Sequence, residues 1–262
     1  MNRDNGRTSA EAATDAVLTN ESPAVRDQKI DLAAAFRIFG RLGFDLGVAG
    51  HITARHAEDP ELFWVNPLGR SFNRMRACDL QLVDGQGRVV HGGRPINHSA
   101  YVIHSHIHRQ LPAVNAVAHA HSPHGVAWSS LGRTLEPINQ NACVFFDDQV
   151  LFDDYFGPVL ADDEGAKIAS ALAESRAKAA VLVNHGVVTV GGSVAEAAWW
   201  FIAFERAAQV ALLCEAAATR PRQVAENVAR DAHSVSGTPR AGVLAFQPLR
   251  NWILHEEPDL VD

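Results

Sequence analysis

The chain has few cysteines, tyrosines and methionines: three, two and two in 262 residues. Cys78, Cys143 and Cys214 lie far apart and form no Cys-x-x-Cys pair. That excludes a thiolate zinc site or a dithiol redox motif and argues against a disulfide framework, so a reduced, cytoplasmic setting is expected. Basic charge is short as well. Lys and Arg number 23 against 30 Asp and Glu, a net charge of −7, and a nucleic-acid partner needs a basic surface. No apolar run reaches the ~20 residues of a membrane span. The longest, residues 197–213, is broken by Glu205, Arg206 and Gln209, so no membrane partner is expected. Residues 1–27 are polar and mixed in charge, without the apolar centre of a secretory signal. They read as a flexible leader ahead of a single domain, residues 28–262, that ends in a C-terminal tail.

What the chain has in plenty is histidine, 13 in all. The background is ordinary globular usage, 47% hydrophobic and 20% charged. Apolar residues at Ile30, Ala33, Ala34, Ile38 and Leu42 predict a helix over 27–44. Gly47-Val-Ala-Gly50 then breaks the chain, and short strands are expected at 51–54 and 62–65. Segments 80–83 and 88–90 flank Asp84-Gly-Gln-Gly87 as a hairpin. Residues 95–108 read as a helix capped by Asn97. Residues 114–121 alternate as a strand, and 162–177 form a helix. Two apolar strands, 179–183 and 187–190, surround Asn184-His-Gly186. Ser193-Val-Ala-Glu196 is a capping box that opens a long helix to about residue 218. The order predicts one α/β domain with a mixed or antiparallel sheet. The apolar tail 246–254 is expected to dock on a neighbouring subunit.

The chemistry concentrates at His119-Ala-His121. Side chains two apart on a strand share a face, so both imidazoles can reach one metal ion. Alone, the pair reads equally as two polar residues on a solvated strand face. His185 adds weight. It ends a buried strand beside a glycine that permits a tight turn. Three such histidines would form a site with open positions, as catalytic metal sites do.

These residues resemble a family. Gly47-Val-Ala-Gly-His-Ile-Thr53, Asn66-Pro-Leu-Gly69, the 95–108 helix, Pro112-Ala-Val-Asn-Ala-Val-Ala-His-Ala-His121 and Asn184-His-Gly186 come in the order of the class II aldolase/adducin family. The resemblance covers residues 31 to 218. It implies a three-layer α/β/α sandwich around a mainly antiparallel sheet. It also implies a homotetramer with sites at subunit interfaces, and one divalent ion (Zn²⁺, Mn²⁺, Co²⁺ or Fe²⁺) on His119, His121 and His185.

This chain also departs from the sugar-phosphate aldolases of that family. Their acid/base Glu, 19 residues before the first His of H-x-H, is Ala100 here. The Asn after their first Gly-rich loop is His51, and the paired serines of their phosphate site become His98 and Ser99. Sugar-phosphate cleavage is therefore not the expected reaction. The resemblance extends to decarboxylases of aromatic hydroxy-acids and to Fe²⁺ oxygenases of aminocoumarin biosynthesis. The first expectation is a metal-dependent C–C lyase, aldolase or decarboxylase, acting on a small or aromatic hydroxy- or oxo-carboxylate. The alternatives are an Fe²⁺ oxygenase of an aromatic oxo-acid, a non-catalytic adducin-like module and, less favoured, a sugar-phosphate epimerase.

Around the metal, His51 is a candidate general acid or base, or else a histidine that pins its loop. Arg70, after Gly69, has the fork for a carboxylate, yet also reads as an exposed loop residue. Gly69, His98 and Ser99 complete the substrate-binding candidates. Tyr155 is a candidate proton donor. Of the helical histidines, His104 is expected behind the site, and His106 and His108 in solvent or at an interface. His104 and His108 have the spacing of a second metal pair but lack an accompanying Glu. His124 is expected in an ordinary loop role, with lining the pocket as the alternative, and the aspartates of Phe145-Phe-Asp-Asp-Gln149 and Leu151-Phe-Asp-Asp-Tyr155 as turn residues around a short strand.

Overall fold

The computed structural model describes residues 21–154, 157, 162–217 and 220–262. Helix α1 (Pro23–Arg41) begins inside the segment read as a leader. Ser22 accepts the Val25 amide and Pro23 takes the first turn, where its missing N–H costs nothing. Strands β1 (His51–Arg55), β2 (Phe63–Val65), β3 (Gln81–Val83) and β4 (Val89–His91) follow, then helix α2 (His98–Gln110), capped as expected by Asn97. Strand β5 (Ala116–Ala120) leads into two short helices, α3 (Pro123–Ser129) and α4 (Gln140–Cys143). After them come β6 (Gln149–Phe152), α5 (Asp162–Ser175), β7 (Ala179–Leu182) and β8 (Gly186–Gly191). The chain closes with α6 (Val194–Ala216), α7 (Glu226–Ser236) and α8 (Pro239–Glu256).

The strands form one eight-stranded sheet, ordered β4-β3-β2-β1-β5-β8-β7-β6. Every neighbouring pair is antiparallel except β6 and β7. Helices cover both faces, which gives the expected α/β/α sandwich. Strand alternation divides the core. Ala116, Ala118 and Ala120 pack with Phe36 and Phe39 of α1 and Phe201 of α6. Val117 packs with Ile103 and Ile107 of α2 and Leu172 of α5. His119 follows Val117 onto that second face.

Helix α6 is long and apolar enough to cross a membrane, but 61% of its apolar stretch is buried inside this fold. It is a core helix, apolar on most sides because it is packed on most sides. The C-terminal tail corrects the expectation for residues 246–254. They belong to α8, which packs on α6 and α1 of its own chain and buries Phe246 and Ile253. Pro248 lies inside this helix, so the residue that usually ends a helix hid it in the sequence.

Candidate metal centre

Strand β5 presents His119, and His121 follows directly after it. His185 arrives from the turn between β7 and β8. Its amide donates to the Leu182 carbonyl at 3.0 Å, with Asn184 at φ 61° and Gly186 at φ 147°. Asn tolerates the left-handed region, and at Gly186 a side chain would be strained. Antiparallel pairing sets His119 opposite Val188, so this turn lands beside His119 and His121. One ligand nitrogen from each of the three imidazoles lies within 4.8 Å of the others. The ring centroids form a near-regular triangle, 5.2, 4.9 and 5.2 Å on a side.

His119 is buried, whereas His121 and His185 are half-buried and open the triangle to one side. Nδ1 of His119 lies 2.9 Å from the Val187 carbonyl oxygen. Only a protonated nitrogen can meet a carbonyl, so Nε2 carries the lone pair. Burial, and then the neighbouring His185, holds the His119 pKa well below the ordinary imidazole value. Burial lowers His121 as well, and pushes His185 down to about 4 with help from His121. All three are therefore neutral near pH 7, the state a metal ligand needs. Among the described residues no carboxylate oxygen joins the group. Three neutral nitrogens suit Zn²⁺, Fe²⁺, Mn²⁺ or Co²⁺ and leave the ion's full charge uncompensated.

His51 lies beside this triangle because β1 pairs it directly with His119. The two ring centroids are 5.1 Å apart. Behind it runs a buried polar chain. His51 Nδ1 is 2.8 Å from His104 Nε2, His104 Nδ1 is 2.8 Å from Thr53 Oγ1, and Thr53 Oγ1 is 2.9 Å from His108 Nε2. His104 thus packs behind the site as expected. His106 and His108 do not lie in solvent: both are buried. The four-residue spacing of His104 and His108 serves a shared hydroxyl, not a second metal. Burial drives all three histidines of the chain toward the neutral form, and the Arg55 guanidinium helps push His108 down to about 3.

Glu205 was not anticipated. It rises from α6, buried, and receives Ser122 Oγ at 2.6 Å, the Gly125 amide at 2.6 Å, and the His124 amide and Nδ1 at 3.1 and 2.7 Å. It therefore fixes the turn that leaves His121. The signal was a lone carboxylate inside an apolar helix, since a buried charge must find partners.

The other candidates sit in loops and a helix start that touch one another. Asn97 Nδ2 donates to the Val48 carbonyl at 3.2 Å, and the Leu68 amide to the Pro95 carbonyl at 2.8 Å. The loop of Gly69 thus adjoins the start of α2, where His98 and Ser99 form the first turn. Arg70 is turned aside: its Nη2 pairs with Asp79 at 2.8 Å and its Nε donates to the Arg74 carbonyl at 3.0 Å. Ala100 is buried among Phe63, Val65 and Val83, an apolar setting for the residue that stands in place of Glu. Tyr155 lies outside the described residues.

The profile of the Class II Aldolase and Adducin N-terminal domain matches residues 30–212. Decarboxylase NovR of Streptomyces niveus is 43% identical over 230 residues, 87% of this chain and 84% of that one. The 4-hydroxy-3-prenylphenylpyruvate oxygenase/4-hydroxy-3-prenylbenzoate synthase of Streptomyces roseochromogenus subsp. oscitans is 44% identical over 230 residues, 87% of this chain and 82% of that one. Among solved structures, the L-fuculose 1-phosphate aldolase from Glaciozyma antarctica PI12 superposes with a TM-score of 0.84 at 36% identity, covering 97% of this chain and 99% of that one.

Proposed function

Because the chain belongs to the class II aldolase and adducin family, we propose that it is a metal-dependent C–C lyase acting on a small or aromatic hydroxy- or oxo-carboxylate, with decarboxylation favoured over aldol cleavage. The observation that carries this reading is the triangle of His119, His121 and His185 with no carboxylate in it. A divalent ion on three neutral ligands keeps its whole charge, so it favours an anionic, chelating substrate and stabilises the negative charge left on carbon when a C–C bond breaks. Ala100, buried among apolar side chains, offers no acid/base group. His51, neutral and beside His119, is the residue placed to take up or return the proton. Gly69, Arg70, His98 and Ser99 are assigned to the substrate rim, Arg70 after release from Asp79. Tyr155, one of only two tyrosines, stays assigned as a proton donor. The likeness to a named decarboxylase over most of both chains supports the reaction class. The proposal includes a cytoplasmic homotetramer. Leu46 and Val48, 63% and 59% exposed beside the site, are apolar surface that a partner subunit would cover.

One observation favours a second reading. A relative 44% identical is named an oxygenase of a prenylated phenylpyruvate, and Fe²⁺ is among the ions that suit this donor set. A single experiment separates the two. The protein, loaded in turn with Zn²⁺, Mn²⁺, Co²⁺ and Fe²⁺, is given a panel of aliphatic and aromatic 2-hydroxy- and 2-oxo-acids, with and without O₂. Release of CO₂ or an aldehyde under nitrogen supports the lyase. Release only with Fe²⁺ and with O₂ uptake supports the oxygenase. No turnover of any acid would count against both.

A further inference from the structure

A second cavity lies at the far end of strand β1 from the histidine triangle. His51, Thr53 and Arg55 alternate onto one face of β1, so Arg55 sits about 13 Å along the strand from His51. There a cavity of about 270 Å³ is lined by Arg55, Glu61, Phe63, Ser105, His108 and Arg109. Pockets for drug-sized ligands run to ~300–1,000 Å³, so an occupant here is small. The lining holds polar atoms without partners. Ser105 Oγ and His108 Nδ1 are buried and have no hydrogen-bond partner among the described residues. Both residues are only 5% exposed. Buried polar groups are nearly always bonded, so two such atoms at one cavity point to a ligand. Arg55 directs its hydrogen bonds to carbonyl oxygens: Nη1 to Pro60 at 2.8 Å, Nε to Val114 at 3.3 Å and Nη2 to His108. Arg109 Nη2 reaches the Gly85 carbonyl at 3.4 Å. Among the described residues neither guanidinium is held in an ion pair with a carboxylate. Two guanidiniums against the one carboxylate of Glu61 leave the lining a single positive charge. Phe63 stacks on the His108 ring at 5.3 Å between centroids and supplies an apolar wall.

From this we propose that the cavity is a second ligand site, separate from the metal centre, for a small monocarboxylate with an apolar body. The carboxylate takes the open fork of Arg109, a donor geometry that matches its two oxygens. It also accepts from the Ser105 hydroxyl, which has a proton to donate and no acceptor in the fold. The apolar body rests against Phe63. Charge selects the class of anion. One excess positive charge balances a monocarboxylate, whereas a phosphate dianion would meet Glu61 with charge left over. No step of the proposed reaction passes through this cavity, so the inference stands apart from that reading.

The test reads binding, not turnover. Benzoate and butyrate are titrated by calorimetry into the zinc-loaded protein and into the His119→Ala/His121→Ala variant. At least one of them should bind both proteins, because the cavity does not depend on the metal. Arg109→Gln and Ser105→Ala, each made in the metal-ligand variant, should weaken that binding about tenfold or more. Benzamide, of benzoate's size without its charge, should bind at least as weakly. Arg109 is exposed, so its replacement leaves the fold intact. Ser105→Ala has a second readout. Its hydroxyl has no partner in the fold, so the thermal midpoint of the unliganded variant should stay level or rise. Binding that vanishes in the His119→Ala/His121→Ala variant would place the carboxylate on the metal and overturn the proposal. So would binding of neither acid, or equal affinity in Arg109→Gln. Inorganic phosphate bound as tightly as the acids would mean an adventitious ion only. A marked loss of stability in unliganded Ser105→Ala would show that the hydroxyl is already bonded and would also count against the site.

Discussion

Nδ1 of His119 donates to the carbonyl oxygen of Val187 across 2.9 Å, from one strand to the beginning of the next. Val187 lies two residues beyond His185. The strand pairing that builds the sheet therefore also orients one candidate ligand and brings in another. Loss of such an outer contact typically costs about 10–100-fold in metal affinity.

The geometry of the His185 turn is open to test. Gly186 has φ 147°, and a Cβ there would come 3.6 Å from His119 Cε1, an ordinary contact. The obstacle is the backbone conformation, worth about 1–3 kcal/mol for a side-chain-bearing residue. Gly186→Ala is expected to lower the thermal midpoint and weaken metal binding about tenfold or more. Calorimetry and metal titration read the two effects. An unchanged metal affinity would show that the turn does not hold His185 in place.

His51→Gln should keep the metal and lose the reaction. Positioned acid/base groups contribute ~10²–10⁴-fold, so kcat is expected to fall by about that factor with metal stoichiometry unchanged. Wild-type turnover with bound metal would remove His51 from catalysis and leave it a loop-pinning residue.

Glu205 predicts a linked loss. Removing one side of a buried charged hydrogen-bond set costs several kcal/mol, with ~3 a fair central value. Glu205→Ala leaves Ser122 Oγ and the Gly125 amide unpaired. Stability to urea should fall by about that amount, and because the turn follows His121, metal affinity should fall with it. A loss of stability at constant affinity would confine Glu205 to supporting the fold.

Acid should destabilise the metal-free protein in a defined window. His108 titrates at about 3 in the fold and near 6.5 when unfolded. Between these values the unfolded chain binds a proton that the folded chain excludes. Stability is thus complete above about pH 6.5 and is lost as pH falls toward 3, with His108 alone costing about 2 kcal/mol by pH 5. His185, at about 4, acts in the same direction. Urea melts at pH 7 and pH 5 measure the difference. Equal midpoints would mean that these rings are not buried neutral.

The sequence showed whatever depends on local periodicity or short motifs. Alternation along β5 placed His119 and His121 on one face, and the capping box placed the start of α6. Residues whose meaning comes from distant partners could not be read. His108 looks the same in sequence whether it meets water or Thr53, which is 55 residues away. His51 opposite His119 is a fact of strand register, and register follows from the packed sheet. Helix α8 was hidden by Pro248. Glu205 was visible as an oddity in an apolar helix, but its partners lie about 80 residues earlier in the chain. Ala100 could be read only as a missing carboxylate; its apolar neighbours Phe63, Val65 and Val83 come from strands β2 and β3, which pack against its helix.

The most direct test is elemental analysis of the anaerobically purified protein beside the His119→Ala/His121→Ala double variant, each before and after reconstitution. The account predicts about one equivalent of a single divalent metal per chain in the wild type and none in the variant, with both equally folded by circular dichroism. A wild-type protein that holds no metal after reconstitution, or a variant that holds as much as the wild type, would contradict it. The first of these outcomes would leave a non-catalytic, adducin-like module as the better description of the chain.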